Sequence, residues 1–109
     1  MVKKKISKKL KQHIKEYTNI LQEDNLPINK VILFGSFAKG TQHKWSDVDI
    51  AIVSPKFKDR FEALHYLNHK TVNQEPYYIE AHGFTPEDFD NKYDSLIHEI
   101  KTHGIELSV

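Results

Sequence analysis

Two aspartates separated by one residue are the first group in this sequence whose types and spacing suit chemistry. Asp47 and Asp49 stand at the start of the alternating segment 47–53. Residues two apart on a β-strand project from the same face, so we expect both carboxylates to point to one place. Like charges side by side are costly unless a cation shares them, and Mg²⁺ takes carboxylate oxygens as ligands. The pair therefore predicts a divalent metal site.

A Gly-Ser turn lies shortly before this pair. Gly35 and Ser36 follow the apolar run 31–34, and Gly40 comes four residues after Ser36. Glycine allows the backbone to approach a ligand closely, and the N–H groups and hydroxyl of such a turn suit a phosphate. A phosphate-binding turn next to metal-binding carboxylates indicates nucleotide chemistry.

The elements that must position these residues follow from apolar periodicity and from Gly and Pro signals. The predicted elements are a helix over 5–24, a strand over 31–34, a helical turn over 36–39, a strand over 48–53, a helix over 58–72, a strand over 77–81 and a helix over 86–104. This alternation predicts one α/β (α+β) domain, with a small mixed sheet of three or four strands flanked by helices.

The three long predicted helices carry apolar stripes, and that of the first helix is Ile6, Leu10, Ile14, Tyr17 and Leu21. The stripe of the middle helix is Phe57, Phe61, Leu64 and Leu67 or Asn68, and that of the last helix is Phe89, Tyr93, Leu96, Ile97 and Ile100. Spacings of three and four predict that each stripe packs inward. In the strand over 48–53, the face that carries Asp49 and Ala51 is expected at the site rather than in the core.

Length and composition bound the class of protein. The chain has 109 residues, 39% of them hydrophobic and 28% charged, which is ordinary for one soluble globular domain. There are no cysteines, no secretory leader pattern and no apolar run long enough to span a bilayer, so we expect a cytoplasmic protein without a membrane partner. We divide the chain into a basic N-terminal helix (1–26), a catalytic core (28–85) and a C-terminal helix (86–104).

Charge is unevenly distributed along the chain. Residues 1–15 contain seven lysines and no acid, whereas residues 75–106 contain eight acids and two lysines. A basic arm can bind nucleic acid, but runs of like charge are more often a solvated helix face. We interpret the lysines as such a face.

The segment Gly35-Ser36, residues 37–46 and Asp47-Val48-Asp49 resembles the signature of the nucleotidyltransferase superfamily that includes DNA polymerase β. The resemblance is strongest to its minimal nucleotidyltransferase branch and covers residues 28–85 well. It implies that Asp47 and Asp49 hold Mg²⁺ and that a third carboxylate comes from the next strand, where Glu80 is the only acid.

The same resemblance implies roles for further residues. Gly35, Ser36, Lys39 and Ser46 are expected to bind the nucleotide, although relatives often have Arg where this chain has Lys39. Glu80 is expected to accept a proton as well as to bind metal, although relatives often have Asp there. His82, two residues beyond Glu80, is expected on the same face, at the border of the site.

The implied reaction is in-line attack of a hydroxyl on the α-phosphate of ATP, assisted by two Mg²⁺ ions. Minimal nucleotidyltransferases commonly act as antitoxins, so the resemblance predicts transfer of AMP to a tyrosine of a HEPN-type toxin. Three alternatives stay open: a non-catalytic binding module, transfer to a small molecule such as an aminoglycoside, and modification of an RNA end. The sequence also leaves open whether the protein forms a homodimer or a hetero-oligomer.

Overall fold

The computed structural model describes residues 6–70 and 75–108. Their elements are α1 (Lys8–Glu23), β1 (Lys30–Phe34), α2 (Ser36–Lys39), β2 (Val48–Val53), α3 (Arg60–His69), β3 (Ile79–Phe84), a 3₁₀ helix (Glu87–Asp90), α4 (Ser95–His103) and β4 (Ile105–Leu107). Within these residues no helix is both long enough and apolar enough to cross a membrane.

The strands form one mixed sheet in the order β3-β2-β1-β4. β1 runs antiparallel to both β2 and β4, whereas β2 and β3 are parallel. In this register Asp49 pairs with Phe34 of β1 on one side and with Glu80 of β3 on the other. The mixed sheet flanked by helices confirms the predicted fold class, and β4 supplies its fourth strand.

One face of the sheet packs against α1 and α3. The buried residues of this layer include Leu10, Ile14, Tyr17 and Leu21 of α1, Ala63 and Leu67 of α3, and Leu33, Ile50 and Ile52 of the sheet. The hydroxyl of Tyr17 donates a hydrogen bond to the carbonyl oxygen of Leu67 at 2.7 Å. This bond ties the two helices together across the core.

The other face of the sheet packs against α4 and carries the half-buried polar residues of the site. Ile97 and Ile100 cover Ile32, Ala51 and Phe84 on this face. Ala51 and Val53 are therefore buried, which corrects the expectation that this whole face of β2 lies at the site. Only its beginning, at Asp49, remains open.

The predicted apolar stripe of the middle helix is wrong in part. Phe57 and Leu67 are buried as predicted, but Phe61 is 79% exposed, Leu64 is partly exposed, and Ala63 faces the core in their place. The cause is close packing against β3, where a Cβ on Gly83 would lie 2.6 Å from that of Ala63. A small residue must face the strand there, so the helix turns its larger apolar side chains outward. Positions 71 and 72 of this predicted helix, like position 5 of the first predicted helix, lie outside the described residues.

The single predicted C-terminal helix is two helices. A 3₁₀ helix ends at Asp90, and α4 begins after Asp94, whose carboxylate accepts hydrogen bonds from the N–H groups of Leu96 and Ile97. Tyr93 lies in the break and is 92% exposed, so its predicted inward position is wrong. A good N-cap can begin a new helix inside a continuous apolar pattern.

The third strand is shifted from its prediction of 77–81. It runs from Ile79 to Phe84, and Tyr77 and Tyr78 precede it. The longer pairing with β2 fixes these bounds, because Val48 pairs with Ile79 and Val53 with Phe84. Glu80 and His82 consequently lie within the strand, two residues apart on one face.

Candidate metal and nucleotide site

The turn at Gly35 joins β1 to α2 and lies against Asp49. Its backbone has φ of 74° and ψ of −154°, a region essentially restricted to glycine. A Cβ at this position would lie 3.2 Å from Asp49 Cγ and would clash with Asp49 Oδ2. The missing side chain thus brings the backbone of the Gly-Ser turn directly against a carboxylate, as the sequence predicts.

Ser36 begins α2, and Gly40 ends it. Gly40 adopts the left-handed conformation, with φ of 75°, and its N–H donates to the Ser36 carbonyl oxygen. The first N–H groups of a helix have no partner within the helix. Ser36 is half-buried at this start of the helix, and its binding of a phosphate stays a prediction.

Lys39, predicted to bind the nucleotide, forms an ion pair with Glu99 of α4. Lys39 Nζ lies 2.9 Å from Glu99 Oε2. Hydrogen bonding to Lys39 is the chief cause that lowers the pKa of Glu99. The Lys39 ammonium group therefore lies at the end of α2 with a carboxylate partner, Glu99, that the sequence did not predict.

Three potential metal ligands converge where β2 and β3 lie side by side. Asp49, Glu80 and His82 each offer one ligand atom, and these three atoms lie within 4.8 Å of one another. His82 Nε2 is 3.2 Å from Glu80 Oε1, and the imidazole packs against the Phe34 ring at a centroid distance of 5.6 Å. Carboxylate oxygens and an imidazole nitrogen fit a divalent cation.

Electrostatics at this cluster also favour a cation. Burial is the largest cause that raises the pKa of Asp49, and the nearby carboxylates of Glu80 and Asp47 raise it further. His82 acts in the opposite direction. A half-buried carboxylate beside two others is stabilised as an anion when a cation binds between them.

Asp47 and Ser46 lie in the loop before β2. The Asp47 side chain is exposed and does not belong to the cluster of potential ligands found among the described residues. Ser46 Oγ accepts a hydrogen bond from the His43 N–H at 2.9 Å, within the same polar loop. The structure thus brings Asp49 and Glu80 together but leaves Asp47 at the edge of the site.

Sequence reasoning put His82 at the border, whereas the structure has it among the potential ligands. Its spacing of two residues from Glu80 was the available signal. Glu99 gave no comparable signal, because it follows Lys39 by sixty residues and meets it only through the packing of α4 on the sheet.

Comparison with known proteins identifies the class. The nucleotidyltransferase domain family matches residues 14–106, and the chain belongs to that family. This confirms the nucleotidyltransferase resemblance drawn from the sequence, and the proteins similar to this chain include members of toxin–antitoxin systems.

The particular similarities are as follows. A segment of 35 residues is 49% identical to the protein adenylyltransferase MntA of Shewanella oneidensis, covering 31% of this chain and 25% of that protein. A crystal structure of a toxin–antitoxin with AMP-PNP has a TM-score of 0.63 and 25% identity, covering 90% of this chain and 72% of the other. A mutant of the MntA-HpeT toxin–antitoxin has a TM-score of 0.62 at 21% identity, covering 86% and 71%, and shares the fold.

Proposed function

We propose that this chain is a divalent-metal-dependent nucleotidyltransferase that transfers AMP from ATP to a hydroxyl, and that the acceptor is a tyrosine of a HEPN-type toxin. The observation that carries the proposal is the contact between the Gly35 turn and the Asp49 carboxylate, with Glu80 beside it. A phosphate held at the turn would adjoin oxygen ligands for the cation that accompanies it.

In this proposal the attacking hydroxyl oxygen bonds to the α-phosphorus of ATP, the bond from that phosphorus to the bridging oxygen breaks, and pyrophosphate leaves. Glu80 accepts the hydroxyl proton. The backbone at Gly35 and the Ser36 hydroxyl hold the leaving phosphates, and Lys39 adds a charge after exchanging Glu99 for phosphate. Asp47, Asp49 and Glu80 would hold a divalent metal, which when bound would neutralise phosphate charge and lower the pKa of the attacking oxygen.

The acceptor is inferred from the relatives. MntA is a protein adenylyltransferase, and the toxin–antitoxin that resembles this chain was crystallised with AMP-PNP. The matched segment spans only a quarter of MntA, so the acceptor of this chain needs its own test and is not assigned from MntA alone. Modification of the toxin would make this chain its antitoxin.

The test uses ATP radiolabelled at the α-phosphorus, with Mg²⁺ or Mn²⁺, and the product of the adjacent gene as the candidate partner. We expect label on the partner with the wild-type chain and none with the Asp47→Asn/Asp49→Asn variant. Substituting the labelled tyrosine with phenylalanine should abolish labelling. Glu106→Gln is the matched control, because this acid lies on β4, across the sheet from β3.

Tight binding of the partner without label, by wild-type and variant chains alike, would refute the transfer reaction and leave a binding module. Label on an RNA or on a small molecule, with none on the partner, would retain the chemistry but refute the acceptor.

A further inference from the structure

We propose that His82 is a direct nitrogen ligand of the catalytic metal, so that this site prefers a first-row transition ion such as Mn²⁺ over Mg²⁺. The inference rests on the proposed function, because it concerns the same metal. It adds a residue, and an ion preference, that the Asp-x-Asp pattern does not supply.

The sheet register fixes His82 next to the two carboxylates. Asp49 pairs with Glu80 across the parallel strands, and Ala51 pairs with His82. Glu80 and His82 are two residues apart on β3 and therefore project from the same face as Asp49. Neither strand needs to move for an imidazole and two carboxylates to surround one ion.

The imidazole is held in place by its neighbours. Its contact with the Phe34 ring limits its rotation, and its Nε2 lies 3.2 Å from Glu80 Oε1. His82 is half-buried, so its side chain already has few accessible rotamers and loses little conformational entropy when it binds an ion. An ion between these groups would replace a nitrogen–oxygen contact by two ligand bonds.

The donor set determines the ion preference. Mg²⁺ prefers oxygen ligands in near-ideal octahedral geometry and gives up its waters reluctantly. Imidazole suits transition ions, whose affinity for nitrogen and oxygen sites rises from Mn²⁺ onward along the first row. His82 would therefore add a nitrogen to the carboxylate oxygens that Asp49 and Glu80 offer to the ion.

The test measures ion binding rather than turnover. Mn²⁺ and Mg²⁺ are titrated into the full chain by calorimetry, and the Mn²⁺ complex is examined by pulsed electron paramagnetic resonance. We expect coupling of the Mn²⁺ electrons to an imidazole nitrogen, and its loss in His82→Gln. We also expect His82→Gln to weaken Mn²⁺ binding by about 10- to 100-fold, a range typical for disturbed metal sites, and Mg²⁺ binding by less.

His65→Gln is the matched control. His65 is exposed on α3 and stacks on His69 at a centroid distance of 6.4 Å, so this variant also tests whether these two neighbouring histidines bind the ion. It should leave both the nitrogen coupling and the affinities unchanged.

Three results separate the possible failures. If His82→Gln binds Mn²⁺ more weakly but the wild-type complex shows no nitrogen coupling, His82 only positions Glu80, and the inference is overturned. Unchanged binding in His82→Gln, together with loss of binding in Asp49→Asn, would overturn the inference while leaving the proposed function intact. A wild-type chain that binds the ions with nitrogen coupling but labels no acceptor would support the inference and refute the proposed function.

Discussion

Gly35 and Asp49 are packed so closely that residue 35 has no room for a side chain. A Cβ there would lie 3.2 Å from Asp49 Cγ, and closer still to Oδ2. The two residues are brought together because Phe34, which precedes the glycine, pairs with Asp49 across the antiparallel strands β1 and β2. The position of the carboxylate and the shape of the turn are therefore coupled.

This contact predicts the effect of Gly35→Ala. Backbone strain alone should cost about 1–3 kcal/mol of unfolding free energy, since the conformation is essentially restricted to glycine. The new methyl group must also displace the Asp49 carboxylate, so we expect Mn²⁺ to lose most of its stabilising effect on this variant. Urea unfolding with and without Mn²⁺ measures both effects.

Gly40→Ala serves as the control for backbone strain. Gly40 has φ of 75° but ends α2 rather than touching Asp49. A left-handed alanine there should cost about 1–2 kcal/mol, while stabilisation by Mn²⁺ persists. If Gly35→Ala and Gly40→Ala retained the same stabilisation by Mn²⁺, the coupling between turn and carboxylate would be disproved.

Asp49→Asn should stabilise the metal-free protein. Burial and the neighbouring Glu80 raise the pKa of Asp49 in the folded state, so ionising this carboxyl opposes folding. This penalty is absent below the ordinary pKa of an aspartate and is complete above the raised pKa. In EDTA at pH 8 we expect Asp49→Asn to melt up to about 4 °C above the wild type. This corresponds to a gain of less than about 1 kcal/mol in unfolding free energy for a domain of this size.

The advantage of Asp49→Asn should shrink as pH falls through the interval between those two pKa values. Asp47→Asn is the comparison, because Asp47 is exposed and is the smallest of the causes that raise the pKa of Asp49. It should give a smaller gain. A metal-free Asp49→Asn variant that melts below the wild type would contradict the argument.

The nearness of Asp49 and Glu80 was predicted by the resemblance to nucleotidyltransferases, which implies a third carboxylate from the next strand, while strand periodicity indicated only which side chains of each strand share a face. The turn at Gly35 was equally accessible, since a Gly-Ser step after an apolar run has a local physical cause. Those signals lie within a few residues of the groups they position. The catalytic and binding roles of these residues remain predictions.

The features that the sequence did not predict depend on contacts between distant segments. Phe61 is exposed because α3 must present Ala63 to Gly83, twenty residues away. Lys39 meets Glu99 only after α4 packs on the sheet. Periodicity identifies the residues that are suited to a core, but close packing decides which of them reach it.

Glu99→Gln should tighten nucleotide binding if Lys39 contacts phosphate. Glu99 holds Lys39 Nζ at 2.9 Å and competes with any phosphate for the same cation. The pair is partly exposed and screened by solvent, so we expect its removal to raise the affinity by no more than about fivefold. Calorimetric titration with a non-hydrolysable ATP analogue measures the change.

Lys39→Met should weaken binding of the same analogue and abolish the effect of Glu99→Gln in the double variant. Glu106→Gln is the matched control, because it removes the longer pair of Glu106 with Lys30, at 3.9 Å, from the β1–β4 side of the sheet. Equal affinity in the Lys39→Met variant and the wild type would exclude Lys39 from nucleotide binding.

Asp94 should be an acid whose loss weakens the α4 layer beside the site. Its carboxylate accepts from the N–H groups of Leu96 and Ile97, and it lies 2.7 Å from the Arg60 guanidinium. Asp94→Ala removes both the helix cap and the ion pair, so we expect a loss of about 1–2 kcal/mol of unfolding free energy. Asp94→Asn can still cap the helix and should lose less than about 1 kcal/mol.

The pH dependence provides the check on this assignment. Partial burial acts to raise the pKa of Asp94, but hydrogen bonds from Ile97 and Arg60 outweigh it, and the pKa is lowered. The stabilisation is therefore complete above the ordinary pKa of an aspartate and is lost as pH falls through the lowered value. Urea unfolding of Asp94→Ala and wild type should differ most near pH 7 and converge in acid, whereas a difference that stays constant down to pH 2 would mean that the ionised carboxylate is not responsible.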